Sequence, residues 1–155
     1  MSENLEEAVS SALLLVMETS AFMTVWPYQE TDGDLAQPDV VASMTFCGPF
    51  SGRLTLHVAS EVLPLLTQNM LGELDPMDSV EEKGRDALRE SLNMICGNLL
   101  TAWQGEDPIF NLSPPEIVSP EDARALGTAV LASLRFNLEN TLAVVEVRES
   151  ICGDQ

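Results

Sequence analysis

The stretch from Asp78 to Trp103, DSVEEKGRDALRESLNMICGNLLTAW, constrains this fold more than any other part of the chain. It reads as one helix. Ser79 with Glu82 three residues on is a capping box, and Pro76 lies just outside the start, where it does no harm. At the α-helical rise the stretch spans on the order of 38 Å. Stepping about 100° per residue from Leu88 brings Leu92, Ile95, Leu99 and Trp103 within roughly 60° of it, and these form the core stripe. Asp86, Glu90, Asn93 and Gly97 fall on the opposite side. Glu90 and Asn93, three residues apart, are neighbours with Cβ atoms about 5–6 Å from each other, directed away from the core. Gly97 follows one turn later. A glycine inside a helix costs about 1 kcal/mol against alanine. It serves either helix packing or close approach of another body to the Glu90–Asn93 pair. Spacing alone describes a solvated face as well as it describes a site.

The rest of the chain supplies a sheet for this helix to lie on. Glu3 to Met23 carries an apolar stripe (Leu5, Val9, Ala12, Leu13, Val16, Met17), with Glu3, Glu6 and Glu7 at the positive end of the dipole. Trp26-Pro27 is expected to end that helix. Gln29 to Gln37 is polar and acidic and reads as an exposed loop. Asp39 to Cys47 and Arg53 to Ala59 alternate and are joined by Gly48-Pro49-Phe50-Ser51-Gly52, which predicts an antiparallel hairpin. Ser60 begins a helix with Leu63, Leu66, Met70 and Leu71 buried and Gly72 as its cap. Leu74 to Met77 connects it to the long helix.

Beyond Trp103, Gln104 to Asn111 reads as a loop and Glu116–Val118 as a short strand. A helical turn is expected within Ser119–Gly127, with Pro120 at its first position. Thr128 to Phe136 and Thr141 to Val147 pair across the turn Asn137–Asn140, and the last residues are expected to fray. Strands clustered apart from helices predict α+β: an antiparallel sheet with a long helix pair packed on one face, one domain over residues 1–155.

Charge narrows the function. Seven basic residues against 25 acidic ones give −18, which argues against nucleic acid and against an anionic membrane surface. No secretion signal is visible, so a cytoplasmic protein is expected. The cysteines Cys47, Cys96 and Cys152 are odd in number and lack C-x-x-C spacing, so reduced and mostly buried thiols are expected. His57, the only histidine, reads as a structural side chain on a strand face. No Gly-rich phosphate loop, paired ligand motif or nucleophile–base arrangement is present.

The segment ESLNMICGN resembles the signature helix of the CheC/CheX/FliY group of chemotaxis phosphatases, E-x-x-N followed by Gly-Asn. Upstream, TFCGPFSGRLTLHVASEVLPLLTQNMLGE (Thr45 to Glu73) is similar to the strand–turn–strand–helix run of the same group. With a single motif, the chain is more like CheX than like CheC. The resemblance implies the same α+β fold and a phosphatase acting on a CheY-like response regulator. It implies catalytic roles for Asn93, which would orient the attacking water, and for Glu90, which would pair with the regulator's active-site lysine. Gly97, Asp86 and Arg89 would meet the partner, with Arg85 and Arg89 softening the local acidic field. Mg²⁺ would come from the regulator, the chain holding no cofactor of its own. A homodimer through a sheet edge is a further implication. The competing expectation is a non-catalytic adaptor docking a regulator or a flagellar-switch protein.

Overall fold

A computed structural model describes residues 2–72, 75, 77–125 and 128–152. The side chain of Glu3, the connecting residues Leu74 and Pro76, Gly127 and the C-terminal end after Cys152 lie outside the described residues. The long helix, α3, runs Val80–Gln104. Ser79 caps it, its side chain accepting from the Glu82 amide at 3.3 Å. The Glu82 carboxylate lies 3.6 Å from Arg85. Leu88, Leu92, Ile95 and Leu99 are fully buried, as the periodicity requires. Trp103 is half-buried, its ring 5.0 Å from that of Phe50.

Among the described residues, seven strands make one sheet in the order β1-β6-β7-β3-β2-β4, with β5 also on β2. They are β1 (Val25–Pro27), β2 (Val40–Cys47), β3 (Ser51–Val58), β4 (Asn111–Leu112), β5 (Glu116–Val118), β6 (Val130–Leu138) and β7 (Thr141–Glu149). All the pairings between strands are antiparallel. Helix α1 (Ser2–Thr19) and α3 lie side by side on one face. Leu5, Val9, Leu13 and Met17 of α1 close the core against Leu54, Leu56, Val145 and Val147 of the central strands. Each such side chain contributes about 1.5–3 kcal/mol relative to exposure. The β6–β7 turn places Glu139 and Asn140 at φ 50° and 63°, and the Asn140 amide donates to Asn137 Oδ1 at 2.9 Å.

Helix α2 (Leu63–Leu71), led in by the 3₁₀ turn Ser60–Val62, packs on α3. Gly84 makes this approach close: a Cβ there would stand 3.3 Å from Leu63 Cβ and 3.7 Å from Thr67 Oγ1. Ser91 completes the contact, donating to the Ala87 carbonyl at 2.8 Å with Met70 Sδ 3.1 Å away.

Four expectations are corrected. The first helix stops at Thr19, not at Trp26-Pro27, and those residues form the edge strand β1. Proline is tolerated there because an edge position asks for fewer ladder donors. Leu71 is 42 % exposed, because α2 buries only the side facing α3. The region after Gln104 yields a second short edge strand, Asn111–Leu112, on β2. Finally, Cys47 and Cys152 form a disulfide; only Cys96 is free, and it is buried.

The sheet's other face is polar and carries the small helix α4 (Pro120–Arg124), capped by Ser119. Glu146 is its hub: Arg148 lies 3.2 Å away, Ser133 donates at 3.1 Å and His57 Nε2 stands at 3.8 Å. Arg53 donates to Ser43 at 2.8 Å, and the Arg135 guanidinium lies 4.3 Å over the Tyr28 ring. Burial pulls the His57 pKa below its ordinary value, partly offset by Glu146. The seven cations thus divide between two places. Lys83, Arg85 and Arg89 ride on α3, while Arg53, Arg124, Arg135 and Arg148 belong to the far side of the sheet.

Candidate functional site

Helix α3 is held on two sides, by α1 and by α2, and beneath by strands β2 and β3. Only its outward edge is left open. Along that edge Asp86, Glu90, Asn93 and Gly97 are all exposed, whereas Ser91, Leu92, Ile95 and Cys96 beside them are buried. The sequence expectation for the placement of these residues is met. A rigid helix presents a carboxylate and a carboxamide one turn apart, anchored by four leucine and isoleucine side chains from below.

Among the described residues, neither the Glu90 nor the Asn93 side chain has a hydrogen-bond or ion-pair partner, while their neighbours do. Arg89 bonds Asp86 at 2.6 Å, an exposed pair worth no more than about 1 kcal/mol. Asn98 turns its amide back to the Met94 carbonyl at 2.8 Å. The structure therefore joins Asp86 to Arg89, and pairs Arg85 with Glu82. It leaves Glu90 and Asn93 as the two polar groups of this edge with unspent hydrogen-bonding capacity. A carboxamide so placed can accept from a water and donate to an oxyanion; a carboxylate can receive an ammonium.

The two glycines of α3 differ in purpose. Around Gly97 none of the described residues lies within 4 Å of where a Cβ would stand, so it packs against none of them. Gly84 is one, and sequence reasoning missed it. The signal was available, since Gly84 steps to roughly 40° from Leu88, within the buried stripe.

Among the described residues no group of three or more His, Cys, Asp or Glu is arranged to hold a metal ion. Nor is any helix among them long and apolar enough to cross a membrane. A cavity of about 690 Å³ lies off this edge, at the C-terminal end of α3 around Trp103 and Phe50.

A family model described as Chemotaxis phosphatase CheX matches residues 40–135, which include the whole of α3. No curated protein sequence matches the chain. Among solved structures it is similar to the chemotaxis protein CheX from Desulfovibrio desulfuricans, with 19 % identity, a TM-score of 0.72, and 94 % of this chain and 99 % of that one covered. It is similar to a CheC-like chemotactic protein from Shewanella oneidensis, with 21 % identity, TM-score 0.65, and 97 % and 100 % covered. It is also similar to a chain of the CheX–CheY–BeF₃–Mg²⁺ complex from Borrelia burgdorferi, with 17 % identity, TM-score 0.64, and 92 % and 95 % covered. At these identities the likeness is one of fold.

Proposed function

Because the chain belongs to the CheX family of chemotaxis phosphatases, we propose that it removes the phosphoryl group from a CheY-like response regulator, with Glu90 and Asn93 as the residues that do so. The observation that carries this reading is the pair itself: exposed, without partners among the described residues, and fixed on the open edge of a buried helix. An aspartyl phosphate is an activated acyl phosphate. Its hydrolysis needs no protein nucleophile, only a water held in line with the scissile P–O bond, and positioning supplies most of the catalysis in phosphoryl transfer. The Asn93 carboxamide oxygen accepts from that water and, being uncharged, does not repel the phosphoryl oxygens. Glu90 forms an ion pair with a lysine of the regulator and sets the register. Gly97 leaves the helix surface low one turn beyond Asn93, so that the regulator can come close. Asp86 and Arg89, already joined, meet the partner as a neutral unit. Mg²⁺ belongs to the regulator's own site. The working compartment is then the cytoplasm. A homodimer would form at the β4–β5 edge, beside the exposed Ile109 and Leu112.

The test is the decay of phosphate from a panel of phosphorylated regulators with and without the protein. Acceleration of one regulator, abolished by Asn93→Ala, supports the assignment; an Asn93→Ala protein with full activity overturns it. Glu90→Ala should raise the concentration needed for half-maximal acceleration. Binding of a regulator with no faster decay selects the adaptor role instead.

A further inference from the structure

The three cysteines are of two kinds. Cys96 is sealed in the core side of α3, where burial pushes its thiol up to about 12. Cys47 ends β2 half-buried, and Cys152, beyond the end of β7, is exposed. Their α-carbons are 5.6 Å apart and their sulfurs are bonded. They are separated by 105 residues in sequence, and β3 lies between their strands in the sheet. The chain after Glu149 must therefore bend over the turn that opens β3 to bring them together. Ser51 Oγ stands 2.7 Å from Cys152 Sγ, within hydrogen-bond distance.

The same bend builds a wall. The 690 Å³ cavity is lined by Leu5, Phe50, Trp103, Leu131, Ser150 and Ile151, among others. Ser150 and Ile151 sit between the end of β7 and Cys152. Ile151 is 76 % exposed, so apolar burial does little to hold this wall in place. It is tied at one end by the β7 ladder and at the other by the disulfide.

We propose that Cys47 and Cys152 are an exchangeable redox pair, a modification site whose oxidant is a small-molecule disulfide, and that their state opens or closes this cavity. The Cys152 thiolate attacks one sulfur of oxidised glutathione; the glutathione S–S bond breaks and one glutathione thiolate leaves, taking up a proton. The Cys47 thiolate then attacks the Cys152 sulfur of the mixed disulfide, the Cys47–Cys152 bond forms, and the second glutathione thiolate leaves. Two protein thiols are oxidised by two electrons, and one glutathione disulfide is reduced to two thiols. Accessible pairs of this kind cycle in reducing compartments rather than serving as permanent staples. The reducing compartment is the cytoplasm of the phosphatase reading; the pairing, its chemistry and its test do not otherwise rest on that reading.

The test incubates the full chain in a series of glutathione mixtures from fully reduced to fully oxidised. Each is quenched in acid, alkylated with a maleimide under denaturing conditions and weighed intact. A single transition from three adducts to one, with the remaining adduct on Cys96, is expected. Three adducts throughout, a lasting glutathione adduct, or a disulfide between chains would overturn the proposal. The exposed variant Cys152→Ser should show no such transition; if it keeps one, Cys152 is not a member of the pair. Cavity opening is read with Nile red, an uncharged apolar dye. Reduced wild type and Cys152→Ser should bind it several-fold more than the oxidised protein, and equal binding by all three refutes the coupling.

Discussion

Changing either glycine of α3 to alanine alters the helix by the same single methyl, yet the two changes should differ in their effect on stability. In an open helical position the substitution stabilises by about 1 kcal/mol, through the entropy the unfolded glycine no longer has to lose. Gly97 has none of the described residues within 4 Å of the new carbon, so Gly97→Ala should realise that gain. In a chain of 155 residues this corresponds to a rise in Tm of about 2–4 °C. At Gly84 the new carbon meets Leu63 Cβ at 3.3 Å and Cδ1 at 3.5 Å. The α2–α3 contact must widen, at an overpacking cost of about 1–3 kcal/mol, which offsets or exceeds the propensity gain. The difference between the two variants, from which the alanine-for-glycine term cancels, should be about 1–3 kcal/mol in favour of Gly97→Ala. Urea titrations of the two proteins under identical redox conditions measure it. Function then separates from stability. If the bare stretch after Asn93 is where a regulator seats, the Gly97→Ala methyl lies in its path, and a clash of about 1–3 kcal/mol lowers phosphate-decay acceleration by roughly 5- to 150-fold. A Gly97→Ala protein less stable than wild type would show that this edge is not open. One that is more stable and fully active would show that the glycine is not there for a partner.

The disulfide closes a loop spanning 105 residues, so the chain-entropy model gives the oxidised form up to about 4.7 kcal/mol over the reduced form; equal urea midpoints for the two would contradict the link. His57 has a folded-state pKa below its unfolded value, so the unfolded chain binds more protons there and stability is lost as pH falls below about 6.5. His57→Gln should flatten that part of the profile relative to wild type, and parallel profiles between pH 5 and 7.5 would exclude the effect. Cys96, with its thiol raised from 9.0 to about 12, should resist maleimide in the native state and react at the rate of global opening; rapid native labelling would show that it is not sealed. Leu92→Ala, at the centre of the buried stripe, should cost about 2–5 kcal/mol, read from the same urea titration.

What was legible in the sequence follows from how long each pattern persists. The α3 stripe repeats over many turns, so its inward and outward faces could be assigned residue by residue. The β2–β3 and β6–β7 pairs alternate long enough to reveal themselves too. Strands β1 and β4 have three and two residues, too few to carry a period, and are strands only because β6 and β2 offer them a register. Trp26-Pro27 therefore looked like a helix stop. The Cys47–Cys152 link has no local spacing to betray it and depends on how β7 returns beside β3. At the site, periodicity alone gave the exposure of Glu90 and Asn93. Their chemistry came from the resemblance of ESLNMICGN, because a solvated face and a docking face have the same period.

The division of positive charge into two groups has a further consequence. With a net charge of −18, nearly every direction of approach repels an anionic body. The repulsion is weakest where cations stand among the carboxylates, along the ridge where Arg85 and Arg89 pair with Glu82 and Asp86 and on the reverse side where Arg124 and Arg148 pair with Glu121 and Glu146. An incoming acidic protein is thus oriented before it touches, turned toward the ridge or toward the back, by a field that fades over about 8 Å at physiological ionic strength. Encounter rates should accordingly rise with added salt for misaligned collisions and change little for those along the ridge, so that discrimination between partners begins in the solvent.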